Sequence, residues 1–222
     1  MQQVGLITIG QSPREDIVAS MFSRSAQLHL LEHGALDDLS LDETLELQPE
    51  PNELPLVSRL RDGTEVVIAK ERLIPHLQRA LDRATADGAT LAVILCTGEF
   101  KRLCPSIPAI YPDRVLAHLV EAVLPIGVIG VMLPHEGQMT MMREKWCTPT
   151  RRFVGTAVSP YTDRDELAEH ARQLRDEHVA MIVMDCMGFD GEMKRTVANA
   201  SGLPTILANR LVGRVVEELT SA

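Results

Sequence analysis

Short apolar runs recur along this chain, each ending in a polar turn and followed by residues spaced for a helix. Val4 to Ile9, Val66 to Ala69, Leu91 to Leu95, Gly127 to Leu133, Ala180 to Met184 and Pro204 to Leu207 are such runs. Most of them do not alternate, which predicts strands buried on both faces, as in parallel sheets. Gln27 to Leu31 and Arg152 to Val158 read as further strands. Between the strands, Leu73, Ile74, Leu77, Leu81 and Ala84 fall at helical spacing, and Asp87-Gly88 supplies the stop. Pro112 opens a helix through Leu116, Leu119 and Val123. A Met-rich helix runs to Trp146, with Met139, Met141 and Met142 expected in packing. Leu167, Ala171 and Leu174 mark another helix, Lys194 to Ala200 the next, ended by Gly202, and Asn209 to Leu219 the last. Leu54 to Leu60 is also read as a helix, and His33-Gly34 and Asp62-Gly63 as turns. Two capping boxes are expected, Ser12 with Glu15 and Pro13 in the first helical position, and Ser40 with Glu43, and Thr162-Asp163-X-X-Glu166 is expected to cap the helix of Leu167.

Strands alternating with helices predict an α/β protein with mainly parallel sheets. The order strand, polar loop, helix, strand, helix and Cys-bearing strand from Val4 to Cys96 recurs from Gly127 to Cys186. Two similar units follow, rather than a short-period repeat.

Composition narrows the function. The 222 residues are 45% hydrophobic, and only 3% are aromatic, so aliphatic side chains and Met must fill the core. A net charge of −9 disfavours nucleic acid or an anionic membrane as a general partner, but not a small anion held by local positive potential. No apolar run reaches the roughly 18 residues of a membrane span. The opening Met1-Gln2-Gln3-Val4 lacks the basic start of a signal peptide, so a cytoplasmic location is expected. The four cysteines show no metal-type spacing and no Cys-X-X-Cys, so no metal is expected and a reducing compartment fits.

Two of those cysteines share a setting. Leu91 to Leu95 leads into Cys96-Thr97-Gly98-Glu99-Phe100, and Ala180 to Met184 leads into Asp185-Cys186-Met187-Gly188-Phe189. Each thiol stands at the carboxyl end of a buried strand, where open α/β sheets bind ligands. A helix N-terminus beside it is expected to lower its pKa, and the free N–H groups there to hold a carboxylate or enolate oxygen. Two such thiols facing one carbon can remove a proton on one face and return one on the other. That geometry suits racemisation or epimerisation next to a carboxylate, with no cofactor. Cys104 and Cys147 read as inert apolar side chains. Asp185 either orients a group in the site or caps the turn at Gly188, and Glu99 is equally open. His135 is expected to be an exposed loop residue, with a site role as the alternative. The Gly10-Gln11-Ser12-Pro13 loop caps a helix and can also present N–H groups to an anion.

At Leu6-Ile7-Thr8-Ile9-Gly10-Gln11-Ser12-Pro13-Arg14, Cys96-Thr97-Gly98 and Met184-Asp185-Cys186-Met187-Gly188-Phe189 the chain resembles the AroM family, within the aspartate/glutamate racemase superfamily. The resemblance implies two pseudo-symmetric three-layer αβα domains, residues 1–107 plus 208–222 and residues 108–207, with the last helix returning to the first. It implies cofactor-independent chemistry in an interdomain cleft, with Cys96 and Cys186 as opposed bases. Thr97, Gly98, Met187 and Gly188 would donate backbone N–H groups to a small carboxylate substrate. Gly10, Gln11, Ser12 and Asn209 would complete the substrate contacts, and a homo-oligomer is left open. The chain departs from racemases in having Gln11-Ser12-Pro13 early and no Thr-His after Cys186. A racemase or epimerase is therefore expected. The alternatives are a single-cysteine decarboxylase or cis-trans isomerase, and a non-catalytic small-anion binding protein.

Overall fold

A computed structural model of the chain describes residues 2–23 and 28–221. The first half contains β1 (Gln3–Thr8), α1 (Glu15–Met21), β2 (His29–Gly34), α2 (Leu41–Leu45), β3 (Pro55–Arg59), β4 (Glu65–Ala69), α3 (Lys70–Ala86), β5 (Leu91–Leu95), β6 (Ala109–Ile110) and α4 (Pro112–Val123). The second half contains β7 (Gly127–Leu133), a 3₁₀ turn (Glu136–Gln138), α5 (Met139–Trp146), β8 (Arg151–Ala157) and a second 3₁₀ turn (Arg164–Glu166). It continues with α6 (Leu167–Asp176), β9 (Met181–Met184), α7 (Gly191–Ser201), β10 (Thr205–Leu207) and α8 (Ala208–Thr220).

Two four-stranded sheets result, ordered β2-β1-β5-β6 and β8-β7-β9-β10. Every pairing in both is parallel. In each unit the second strand flanks the first, the Cys-bearing strand lies on the other side, and a short strand closes the edge. The repeat seen in the sequence is thus a repeat of topology. Strand β6 is hydrogen-bonded to β5, so the first sheet ends at Ile110.

The units share one core. Val4, Leu6 and Val93 of the first sheet join Val131 and Val183 of the second around Ile17, Leu116, Trp146 and Val212. The helices α1, α4, α5 and α8 therefore lie between the sheets. Separate clusters cover the outer faces, with α3 on one side and α6 and α7 on the other. Helix α8 packs on α1 so closely that a Cβ at Gly213 would strike the Met21 carbonyl.

Several local expectations are corrected. Leu54 to Leu60 is not a helix: β3 pairs antiparallel with β4, from Pro55 opposite Ala69 to Arg59 opposite Glu65. The Asp62-Gly63 turn joins them, with Gly63 at φ +97, a conformation glycine adopts without a Cβ penalty. His33 and Gly34 are not a turn but the end of β2, opposite Ile7 and Thr8. Ser12 does not cap α1, and Pro13 is not in its first turn. Helix α1 begins at Glu15, and Ser12 gives both its N–H and its hydroxyl to Asp37, each at 2.7 Å. The Thr162-Asp163 cap on α6 is also absent, because Asp163 accepts from the Ser159 N–H at 2.9 Å and α6 starts only at Leu167. The Ser40–Glu43 box forms, with reciprocal bonds of 3.2 and 2.8 Å. Gln27, expected to open β2, lies outside the described residues.

Candidate active site

Strands β5 and β9 deliver the two thiols. Just past each strand the chain turns back on itself. The Cys96 sulfur accepts the Gly98 N–H at 3.3 Å, and the Cys186 sulfur accepts the Gly188 N–H at 3.4 Å. The two Cys-X-Gly turns are therefore equivalent in hydrogen bonding as well as in sequence. Both thiols are 8% exposed and line one cavity, together with Thr97, Gly98, Met187 and Gly188. Its volume of about 20 Å³ suffices for a water molecule and little more. In this state the site is closed.

Burial pushes both thiols up to about 12. The turn N–H groups and the nearby cations pull the other way, Lys145 at Cys96 and Arg14 at Cys186, while Asp185 adds to the rise. The expected lowering by a helix N-terminus is overturned. Cys96 is followed by irregular chain as far as β6, and the first N–H groups of α7 are taken by its own cap, Asp190. Alkylation checks this directly. At about pH 7 the exposed Cys104 should react with iodoacetamide much faster than Cys96 or Cys186.

A network under the cavity ties the two turns together. The Thr97 hydroxyl donates to the Asp185 carbonyl at 3.0 Å. The Asp185 carboxylate, with a fully buried side chain, accepts from Lys145 Nζ at 2.9 Å and Trp146 Nε1 at 2.9 Å. Lys145 also donates to the Thr97 carbonyl at 3.3 Å. Asp185 thus anchors α5 to the second thiol turn, which resolves its open role. Asn209 works similarly from α8. Its amide donates to the Met187 and Phe189 carbonyls at 3.0 and 2.6 Å.

Arg14 and Tyr161 also line the cavity. The Arg14 guanidinium donates to Asp16 at 2.9 and 2.8 Å and to the Tyr161 hydroxyl at 2.9 Å. Burial disfavours its charge, but these partners hold its pKa above the ordinary value. Burial, together with the neighbouring Cys186, raises the Tyr161 phenol. A Cβ at Gly188 would run into the Tyr161 hydroxyl, so the second turn needs glycine for this close approach.

The early loop does not line the cavity. The Gly10 N–H donates to Thr8 Oγ1 at 3.2 Å, Gln11 bonds Leu36 and Arg61, and Ser12 bonds Asp37. The next residue, Arg14, faces the site instead. Gly10 has a packing role, since a Cβ there would collide with Arg59 O and Ser58 Oγ of β3. Asn209 is also absent from the lining, its amide being used on the turn. Thr97, Gly98, Met187 and Gly188 do line it, but the N–H groups of both glycines go to the sulfurs. Glu99 is half-exposed and pairs with Lys101 at 3.1 Å. His135 accepts the Gly137 N–H at 3.0 Å and caps the 3₁₀ turn.

A larger hollow of about 440 Å³ adjoins the closed cavity through Thr97 and Met141. Asp113 lines it, 8% exposed, with Oδ1 unpartnered. Burial raises its carboxyl pKa, partly offset by Lys145. The folded state therefore binds this proton more tightly than the unfolded chain, and stability falls as pH rises through that interval. Asp113→Asn should raise the melting temperature at about pH 7, with the gain shrinking towards about pH 4, as thermal melts across pH would show.

Among the described residues, no set of three or more His, Cys, Asp or Glu side chains is gathered to hold a metal ion. No helix in the described residues is long and apolar enough to cross a membrane.

A family model described as AroM protein matches residues 4–220. No curated protein matches the chain significantly. Among solved structures, glutamate racemase isoform RacE1 from Bacillus anthracis superposes with a TM-score of 0.66 at 11% identity, covering 98% of this chain and 81% of the other. An aspartate racemase homologue from Pyrococcus horikoshii OT3 gives 0.62 at 12% identity, with both chains fully covered. Unliganded arylmalonate decarboxylase gives 0.60 at 11% identity, covering 100% of this chain and 93% of the other. At such identities the likeness is one of fold.

Proposed function

This chain belongs to the AroM protein family, and from that premise we propose that it is a racemase or epimerase of a small carboxylate, using two thiols and no cofactor. One observation carries the reading: Cys96 and Cys186, from equivalent strand ends of two like sheets, line the same cavity. One thiolate takes the proton from the carbon beside the carboxylate, and the other thiol returns a proton on the opposite face. The carbanion between them is an enolate of the carboxylate, and the positive charges of Lys145 and Arg14 lie nearby. A site closed over the substrate, widened to hold it, excludes water during the transfer.

High thiol pKa values slow the formation of the thiolate but make it a stronger base once formed. The value of kcat/KM should therefore keep rising from about pH 7 to about pH 10, because the base is protonated over that whole interval. A plateau beginning near pH 8 would point to an unburied base.

A screen of single enantiomers of small 2-hydroxy, 2-amino and 2-aryl carboxylates, followed by chiral chromatography, tests the reading. Interconversion of one of them is expected. Loss of CO₂ from a malonate, without interconversion, would replace it with a one-thiol decarboxylase; one protein of this fold is an arylmalonate decarboxylase. Binding without turnover would leave a small-anion binding protein.

A further inference from the structure

The hairpin β3–β4 has no counterpart in the second unit, where β8 leads through a 3₁₀ turn to α6. Leu56, Val57 and Ser58 of β3 line the cavity that holds both thiols. Ser58 is 1% exposed, and its hydroxyl has no hydrogen-bond partner. Folded proteins leave few buried hydroxyls unpaired, because each forfeits its bonds to water. An alanine at this position would pack without that cost.

Every other polar side chain lining the cavity has at least one hydrogen-bond partner. Arg14 is bonded to Asp16 and Tyr161, Thr97 to the Asp185 carbonyl, and Gln138 to the Pro55 carbonyl at 2.9 Å. The Gly98 and Gly188 N–H groups are on the sulfurs. Ser58 is the lining side chain with no hydrogen-bond partner at all.

We infer that the Ser58 hydroxyl donates a hydrogen bond to a carboxylate oxygen of the bound ligand, an inference that rests on the small-carboxylate reading above. The hairpin is the cover that brings it there. A cavity of about 20 Å³ admits nothing larger than water, so the cover lifts to load the site. Its points of closure on the second unit are the bond from Gln138 to Pro55 and the contact between the Ser159 hydroxyl and Glu65. When the hairpin settles over a bound ligand, in a cavity widened to hold it, Ser58 meets the carboxylate, and the carbon beside it stays between the thiols.

Two measurements on the full chain test this. The ligand-free S58A variant should melt at or above the wild-type temperature, because the hydroxyl makes no bond to lose. A clear fall would show that Ser58 serves the fold and would overturn the inference. Alkylation of Cys96 and Cys186 by iodoacetamide, followed peptide by peptide, is then run with rising malonate, succinate or glutamate. At least one should protect the wild type, and the half-protecting concentration should rise about tenfold or more in S58A, the worth of one hydrogen bond to a charged oxygen. Equal protection of the two proteins would overturn the Ser58 contact and leave the proposed function standing. Failure of all three to protect the wild type would remove the small-carboxylate reading, and this inference with it.

Discussion

Cys96→Ser and Cys186→Ser should each lower enantiomer interconversion by about 10²–10⁴-fold or more, the range that one positioned acid or base contributes. An alcohol is a far weaker base than a thiolate, and serine keeps nearly the same size, so the loss is chemical. The structural cost should be small, because each sulfur makes one weak bond to the Gly N–H two residues on. The variants should not be equivalent in what survives. With one thiol left on one face, each should still exchange the α-proton of a single enantiomer with solvent, and the two variants should select opposite enantiomers. NMR of each enantiomer in D₂O with each variant reads this out. Full interconversion by either variant would remove its cysteine from the mechanism.

The second large effect is on stability. Asp185→Ala should destabilise the fold by about 3–5 kcal/mol, the usual cost of breaking a buried ion pair from one side. Its side chain is fully buried and Lys145 is 16% exposed, so the lysine would be left with little solvent. The Trp146 N–H would lose its partner as well. For a chain of this size, the melting temperature should fall by about 10 °C or more. Asp185→Asn should fall less, since an amide oxygen can still accept from Trp146. Adding Lys145→Met to Asp185→Ala should recover part of the loss, because the stranded charge is gone, and the double-mutant cycle measures that coupling. A drop of under about 1 kcal/mol in Asp185→Ala would show that the pair is dispensable.

What the sequence disclosed, and what it hid, follows from where the causes lie. Strand β7 was legible from Gly127 to Leu133, because a strand buried on both faces is an apolar run and needs no partner to be recognised. The paired Cys-X-Gly turns were legible for the same reason, since each is local. The hairpin was misread because Leu54, Leu56, Val57 and Leu60 imitate helical spacing. Strand β3 is buried at Leu56, Val57 and Ser58 alike, so it has no alternation to betray it. Its turn was recognised at Asp62-Gly63, but with β4 alone beside it there was no hairpin to assign. The Ser12 cap was a sound local reading that lost to Asp37, 25 residues away. Arg14 and Tyr161 meet across 147 residues, and no sequence pattern announces such a pair. The thiol pKa was read with the wrong sign because the expectation supplied helices where Cys96 has none, and burial then decides.

The most direct measurement of the two-thiol claim is the fate of deuterium in the first turnovers. A single enantiomer of a substrate found in the screen is incubated with enzyme in D₂O and stopped early. Each enantiomer is then separated and its α-position assayed. The account predicts deuterium in nearly all of the product enantiomer and little in the recovered starting one, because the proton leaves to one sulfur and arrives from the other, already exchanged. Product that keeps the original hydrogen, or equal early deuterium in both enantiomers, would contradict it and point to one base serving both faces.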